Sequence, residues 1–142
     1  MSAAPVSAKP TASTAIPQSL LAFDFGLRRT GVAVGNAYLK SAQPITTLRQ
    51  SGDARFDAIA RLIQEWQPDA LVIGVPFHPN GAEHEMTAHA RRFGRQLKGR
   101  FHLPVFEVDE RYTSVAAQGE GARDLDAAAA ALILEQFFRE HS

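Results

Sequence analysis

Cysteine is absent from the 142-residue chain, which excludes disulfide staples and any thiolate-based zinc site. No apolar run approaches the ~20 residues that a membrane-crossing helix needs. Neither charge sign is in excess: 15 Lys and Arg balance 15 Asp and Glu, so no global field draws the molecule to a polyanion. The opening stretch MSAAPVSAKPTASTAIPQ has three Pro and many Ala and Ser but no apolar signal core. It reads as a flexible tail over 1–19, on a protein of the cytoplasm.

What is present suffices for one core. Hydrophobic residues make up 45% of the chain, with nine Phe, and a chain of this size buries roughly two thirds of its unfolded surface. Wholesale disorder and two large domains are both excluded. The neutral total conceals an asymmetry: residues 1–102 carry 12 basic and 7 acidic groups, residues 103–142 carry 3 and 8. Twelve of the 15 basic residues are Arg, which suits bidentate phosphate contacts better than Lys and equally suits a solvated surface.

Leu20 to Phe25 is apolar except for Asp24, the pattern of a strand buried on both faces with a functional group planted at its end. Gly26 and Gly31 bracket a tight connection, so 20–35 reads as a hairpin, and Pro44–Arg49 adds a third strand. Asp53 is placed to cap a helix whose stripe is Phe56, Ile59, Ile63 and Trp66. Ala70–Val75 reads as a central parallel strand, and 83–98 as a helix turning Met86, Ala90, Phe93 and Leu97 inward. On its other faces lie Arg91, Arg92, Arg95 and Lys98, which either track a nucleic-acid backbone or solvate the surface. Pro104–Val108 forms a short strand, Thr113 opens a short helix, and Asp124–Glu140 is a terminal helix with small residues at Ala127–Ala131. Three meandering strands followed by alternating helices and strands is the element order of the ribonuclease H-like α/β fold. A mixed five-stranded sheet results, its first three strands an antiparallel meander, with helices flanking it. Its active site belongs where the carboxyl end of the first strand meets its parallel neighbours.

That topology brings Asp24, the Asp109-Glu110 pair and Asp126 to one sheet edge. Carboxylates gathered there repel one another unless hard divalent cations such as Mg²⁺ neutralise them. A two-metal phosphodiesterase site follows. Each acid has a plainer reading: a buried hydrogen-bonded Asp24, a Glu110 paired with Arg111 or Arg123, and an Asp126 favoured by the helix dipole. His78, His84, His89 and His102 show no ligand spacing.

The segments AFDFGLRRTGVAVG (22–35), LVIGVPFHPNG (71–81), VDERYTSVAA (108–117) and LDAAAAALILEQFF (125–138) together resemble the YqgF family of pre-16S ribosomal RNA nucleases, also described as RuvX-type Holliday junction resolvases. The resemblance spans Leu20 to Phe138, with the motifs in the family's order. It implies one ribonuclease H-like nuclease domain over 20–142 and hydrolysis dependent on Mg²⁺ or Mn²⁺, with two ions. The role implied is 5′-end maturation of the 16S ribosomal RNA precursor, a single-stranded RNA substrate. By resemblance Asp24, Glu110 and Asp126 are the catalytic and metal-binding acids, with Asp109 a reserve ligand. Gly26, Arg28 and Gly31 match the hairpin loop beside phosphate, and Arg111 is placed to contact phosphate. The connection before Asp126 is shorter and less basic than is usual in the family, leaving Arg123 as the substitute there.

Branched DNA is the rival substrate, since the same acids and metals would serve. A junction enzyme should be a symmetric homodimer cutting two strands, whereas a monomer fits single-stranded RNA. A nucleotide-binding relative of the actin and hexokinase type would need two lobes, and the length allows one. A non-catalytic ribosome-assembly protein is the remaining alternative; the three intact acids speak against it without refuting it.

Overall fold

The computed structural model describes residues 18–113 and 124–141; Arg123, nearly all of the tail, and the residues following Thr113 lie outside them. Five strands form one sheet: β1 (Ser19–Phe25), β2 (Thr30–Asn36), β3 (Ser41–Leu48), β4 (Ala70–Val75) and β5 (Val105–Asp109). Their order is β3-β2-β1-β4-β5. The pairs β1–β2 and β2–β3 are antiparallel, while β1–β4 and β4–β5 are parallel. The ribonuclease H-like mixed sheet with a leading meander is therefore the observed architecture.

Among the described residues three α-helices cover it: α1 (Gly52–Trp66), α2 (Thr87–Phe101) and α3 (Leu125–Glu140). Alternation along the strands divides the core in two. Leu21, Phe23, Val32, Leu71 and Ile73 pack with Phe56 and Ile59 of α1 and with Phe93 and Leu97 of α2. On the opposite face Leu20, Ala22, Ala70, Val72 and Val108 meet Ile133, Leu134, Phe137 and Phe138 of α3. Burial of both faces explains the apolar runs Leu20–Phe23 of β1 and Ala70–Val75 of β4.

The approach of α3 is set by small residues. Gly31, Ala33 and Gly35 share one face of β2, and Ala33 packs with Ala130 and Ala131. A Cβ on Gly31 would stand 1.8 Å from the backbone oxygen of Asp126, and one on Gly35 would stand 2.5 Å from Leu134 Cδ2. The first turn of α3 is also pinned from the side: Asp124 accepts from the Ala127 amide (3.1 Å), capping the helix, and from the Thr47 hydroxyl on β3.

Several boundaries differ from the sequence reading. β3 begins at Ser41 because Asn36 Oδ1 accepts from the amides of Tyr38 (2.8 Å) and Leu39 (3.0 Å). With Lys40 at φ 54°, the turn closes early enough to pair Asn36 with Ser41. Pro44 is tolerated because β3 is an edge strand. The helix read at 83–98 runs Thr87–Phe101. Before it, Glu83 bridges to Phe77, the His84 amide donates to Thr87 Oγ1 (2.8 Å), and that hydroxyl donates to the Pro76 carbonyl. Ser51, not Asp53, precedes α1 as its cap residue; Asp53 pairs instead with Arg100 (3.2 Å). Trp66, read as inward, is 38% exposed. Thr113 closes a 3-10 turn, Glu110–Tyr112, with its amide on the Glu110 carbonyl (3.2 Å); the short helix expected to open at Thr113 lies outside the described residues.

Candidate active site

Asp24 lies near the carboxyl end of β1, paired across the ladder with Gly31 of β2. Its side chain falls on the same face as Leu20 and Ala22, the face that α3 covers. On the far side of β1, β4 runs parallel in a register of Phe23 with Ile73, which brings Gly74 beside Asp24. Gly74 is paired in turn with Val108 of β5. The Glu110 side chain folds back over that glycine: a Cβ there would meet Glu110 Oε2 at 2.5 Å and Cγ at 2.8 Å. A missing side chain on the central strand thus makes the space in which Glu110 reaches Asp24.

The two carboxyls are within hydrogen-bonding reach of each other. Burial pushes the Asp24 carboxyl up to about 6, the charge of Asp126 adding to the rise and the hydrogen bond with Glu110 opposing it. Burial likewise pushes Glu110 up to about 7, assisted by the charges of Asp24 and Asp109 and by the proton that it donates to Asp24. Both carboxyls thus ionise later than usual, as like charges at close quarters require, and on the acid side of neutrality the pair holds a proton between them.

Asp126, in the first turn of α3, bonds to Arg29 Nε at 3.1 Å. The tight approach at Gly31 is what carries this turn to the sheet edge. Asp109 is placed differently. Strand alternation turns it away from Val108 and Glu110, and Arg111 grips it through Nη2 (2.7 Å), Nε (3.1 Å) and its backbone amide (2.9 Å). The hydrogen bonds from Arg111 hold Asp109 below the usual carboxylate range. Period-two alternation in the sequence was signal enough to separate these neighbouring acids.

Arg111 also donates to the Pro79 carbonyl (3.5 Å) and lies 5.6 Å from the Phe77 ring centroid, tying β5 to the loop after β4. Gly31 has a packing reason for being glycine, since the backbone of α3 fills the space that a phosphate would need. Gly26 and Arg28 line an open groove of about 700 Å³. Its other walls are Leu27, Arg29, Arg49, Met86 and Asp126. Arg29, Arg49 and Gly74 were missed in the sequence, for their roles depend on long-range register. Of the basic stripe on α2, Arg91 is committed to Glu83 (3.7 Å) and Glu107 (3.4 Å), whereas Arg92, Arg95 and Lys98 are exposed. His78 and His84 face each other with ring centroids 5.0 Å apart.

Two facing carboxyls and a third acid on the adjacent helix are hard oxygen donors, a set that fits Mg²⁺ or Mn²⁺. Among the described residues no three acid or histidine side chains already form a cluster that could hold an ion; Asp24 and Glu110 share a proton while Asp126 is engaged by Arg29. Among the described residues, no helix is long and apolar enough to cross a membrane.

Comparison with known proteins agrees with this architecture. Residues 18–140 match the family model described as RuvX, Holliday junction resolvase. A protein of Albidiferax ferrireducens named "Putative pre-16S rRNA nuclease" is 67% identical over 122 residues, covering 86% of this chain and 78% of the relative. One of the same name from Ralstonia pickettii is 53% identical over 142 residues, covering 97% and 99%. Among solved structures, Thermus thermophilus RuvC in complex with a Holliday junction substrate superposes with a TM-score of 0.54 at 15% identity, covering 87% of this chain and 94% of that one. The fowlpox virus resolvase bound to Holliday junction DNA gives 0.54 at 11% identity, covering 86% and 97%. At those identities the likeness concerns the fold.

Proposed function

The chain belongs to the RuvX family, and from that premise we propose that it is a divalent-metal-dependent nuclease acting in 5′-end maturation of the 16S ribosomal RNA precursor, in the cytoplasm. The observation that carries the reading is the proton-sharing Asp24–Glu110 pair seated over Gly74. Two carboxyls forced together at a sheet edge cost stability unless a cation or a reacting group uses them. The name shared by close relatives supports the RNA substrate.

Asp24, Glu110 and Asp126 would hold the ions, Asp126 on leaving Arg29. Bound there, Mg²⁺ or Mn²⁺ supplies an acidified water and neutralises the leaving oxygen of the phosphodiester. The chain's own part is to gather the ligands, to release the proton that the Asp24–Glu110 pair shares, and to seat the substrate. Arg28, Arg29 and Arg49 line the groove next to Asp126 and suit phosphate oxygens; Gly26 lines it too, but a Cβ there would stand 2.6 Å from the Arg29 carbonyl oxygen, so its glycine serves the tight turn. Arg29, freed from Asp126, would face a phosphate in its place.

Cleavage of a single-stranded RNA spanning a 16S precursor end, compared with a four-way DNA junction, tests the reading. Both reactions are run with Mg²⁺ or Mn²⁺, with EDTA, and with Asp24→Asn. RNA cleavage that needs metal and falls at least about 100-fold in the variant, or about 2.7 kcal/mol of transition-state stabilisation, is the expected result. The family description as a Holliday junction resolvase favours branched DNA as the second reading, and cleavage of the junction alone would establish it. Undiminished activity in Asp24→Asn would remove the acid pair from the mechanism.

A further inference from the structure

Arg55 of α1 is a charged side chain in the interior, 5% exposed. Its Nη2 donates to the Leu27 carbonyl at 2.8 Å and its Nε to the Gln50 carbonyl at 3.1 Å. The guanidinium carbon stands 4.8 Å from the Phe25 ring centroid. Among the described residues no carboxylate pairs with it. A buried cation without a counter-ion is expensive, and an apolar side chain would fill the space at lower cost. The guanidinium does what an apolar group cannot: its rigid fork fixes the separation of two backbone segments.

Those segments carry the groove. Leu27 is followed by Arg28 and Arg29, and Gln50 is preceded by Arg49, the three arginines of the basic wall. Phe25 follows Asp24. We infer that Arg55 is a positioning residue that sets the spacing of Arg28, Arg29 and Arg49, and with it the seat of a nucleic-acid phosphate backbone beside Asp24. It acts through the carbonyls of Leu27 and Gln50 and touches no substrate. What the groove holds rests on the nuclease reading; that Arg55 ties the two segments does not.

Arg55→Met and Arg55→Lys in the full chain separate these statements. Amide hydrogen exchange is followed at residues 26–30 and 48–51, with β4 and α3 as internal references. Affinity for a fluorescein-labelled single-stranded RNA is measured by anisotropy in EDTA, so that cleavage plays no part. In Arg55→Met, exchange rises at least tenfold at both segments while β4 and α3 keep their protection. RNA affinity falls about tenfold, which is about 1.4 kcal/mol, and kcat/KM falls mainly through KM. Arg55→Lys, with its charge but no fork, recovers only part of each. Unchanged exchange at the two segments overturns the inference, as does full RNA affinity in a variant whose segments have loosened. If Arg55→Met does not fold, Arg55→Lys decides alone, and a Lys variant indistinguishable from the parent overturns it. A parent chain that binds no RNA counts against the RNA reading of the groove, while the exchange pattern still tests the staple.

Discussion

Removing divalent metal and raising the pH should weaken the fold. Asp24 ionises at about 6 instead of 3.8, and Glu110 at about 7 instead of 4.5. Between the unfolded and folded values the native state holds protons that the unfolded chain has released. Stability therefore falls as pH rises: the contribution is full below about pH 4 and is lost by about pH 7 to 8. At 1.36 kcal/mol per pH unit the two shifts together amount to about 6 kcal/mol. Both side chains keep partial contact with water, which screens the interaction, so about 3 kcal/mol is the expected loss. The opposite effect from Asp109, whose carboxyl is held low by Arg111, appears only as pH falls below about 4 and leaves this window clear.

Urea unfolding in EDTA at half-unit steps from pH 4.5 to 8, run beside the Asp24→Asn, Glu110→Gln double variant, reads the term directly. The parent should lose about 3 kcal/mol relative to the variant across that range. Added Mn²⁺ should reverse the slope, because cation binding to the carboxylates releases the shared proton and stabilises the native state. Parallel pH profiles for parent and variant would refute the claim that these two carboxyls share a buried proton.

Two substitutions probe how the acids are brought together. Gly74→Ala puts a methyl 2.5 Å from Glu110 Oε2 and 2.4 Å from Ile133 Cδ1; it should cost about 1 to 3 kcal/mol of stability by overpacking and lower kcat by at least about tenfold. Carboxyl NMR titration should then show Glu110 ionising below 7, and an unmoved titration would contradict the placement of Glu110 over that glycine. Gly31→Ala meets backbone, 1.8 Å from the Asp126 oxygen and 2.8 Å from the Ala127 nitrogen, where no side-chain rotation relieves the clash. It should destabilise by about 3 kcal/mol or more, and a fold as stable as the parent in thermal melts would show that α3 does not lie as close to β2 as described.

The fold was legible because its signals are local. A lone acid in an apolar strand, a hairpin bracketed by glycines and two fully apolar runs each follow from a few consecutive residues. Family motifs then ordered them. The parts that stayed hidden depend on partners distant in the chain. Arg55 sits on a helix with a polar face and reads as one more solvated Arg; only the arrival of the Leu27 and Gln50 carbonyls makes it an interior group. Gly74 reads as a gap in an apolar run until the register of β4 against β1 and β5 places it under Glu110. Gly31 met the general requirement for close approach correctly, but a helix backbone and a phosphate make the same local demand. The start of α2 moved by four residues because His84 and Thr87 are bound to the turn after β4, an arrangement to which helical periodicity is blind.

The same small residues also explain how the chain sustains a costly site. Gly31, Ala33 and Gly35 bring α3 down onto β2, and the apolar surface that Leu134, Phe137 and Phe138 then bury is worth roughly 1.5 to 3 kcal/mol for each large side chain. That gain exceeds the few kcal/mol by which the ionised Asp24–Glu110 pair weakens the metal-free fold above neutral pH. The packing that stabilises α3 and the geometry that sets Asp126 near Asp24 are thus one arrangement. A change that relaxes the helix from the sheet must lose stability and disperse the acids together, whereas a change confined to Asp24 or Glu110 should separate the two, stabilising the metal-free fold while abolishing catalysis.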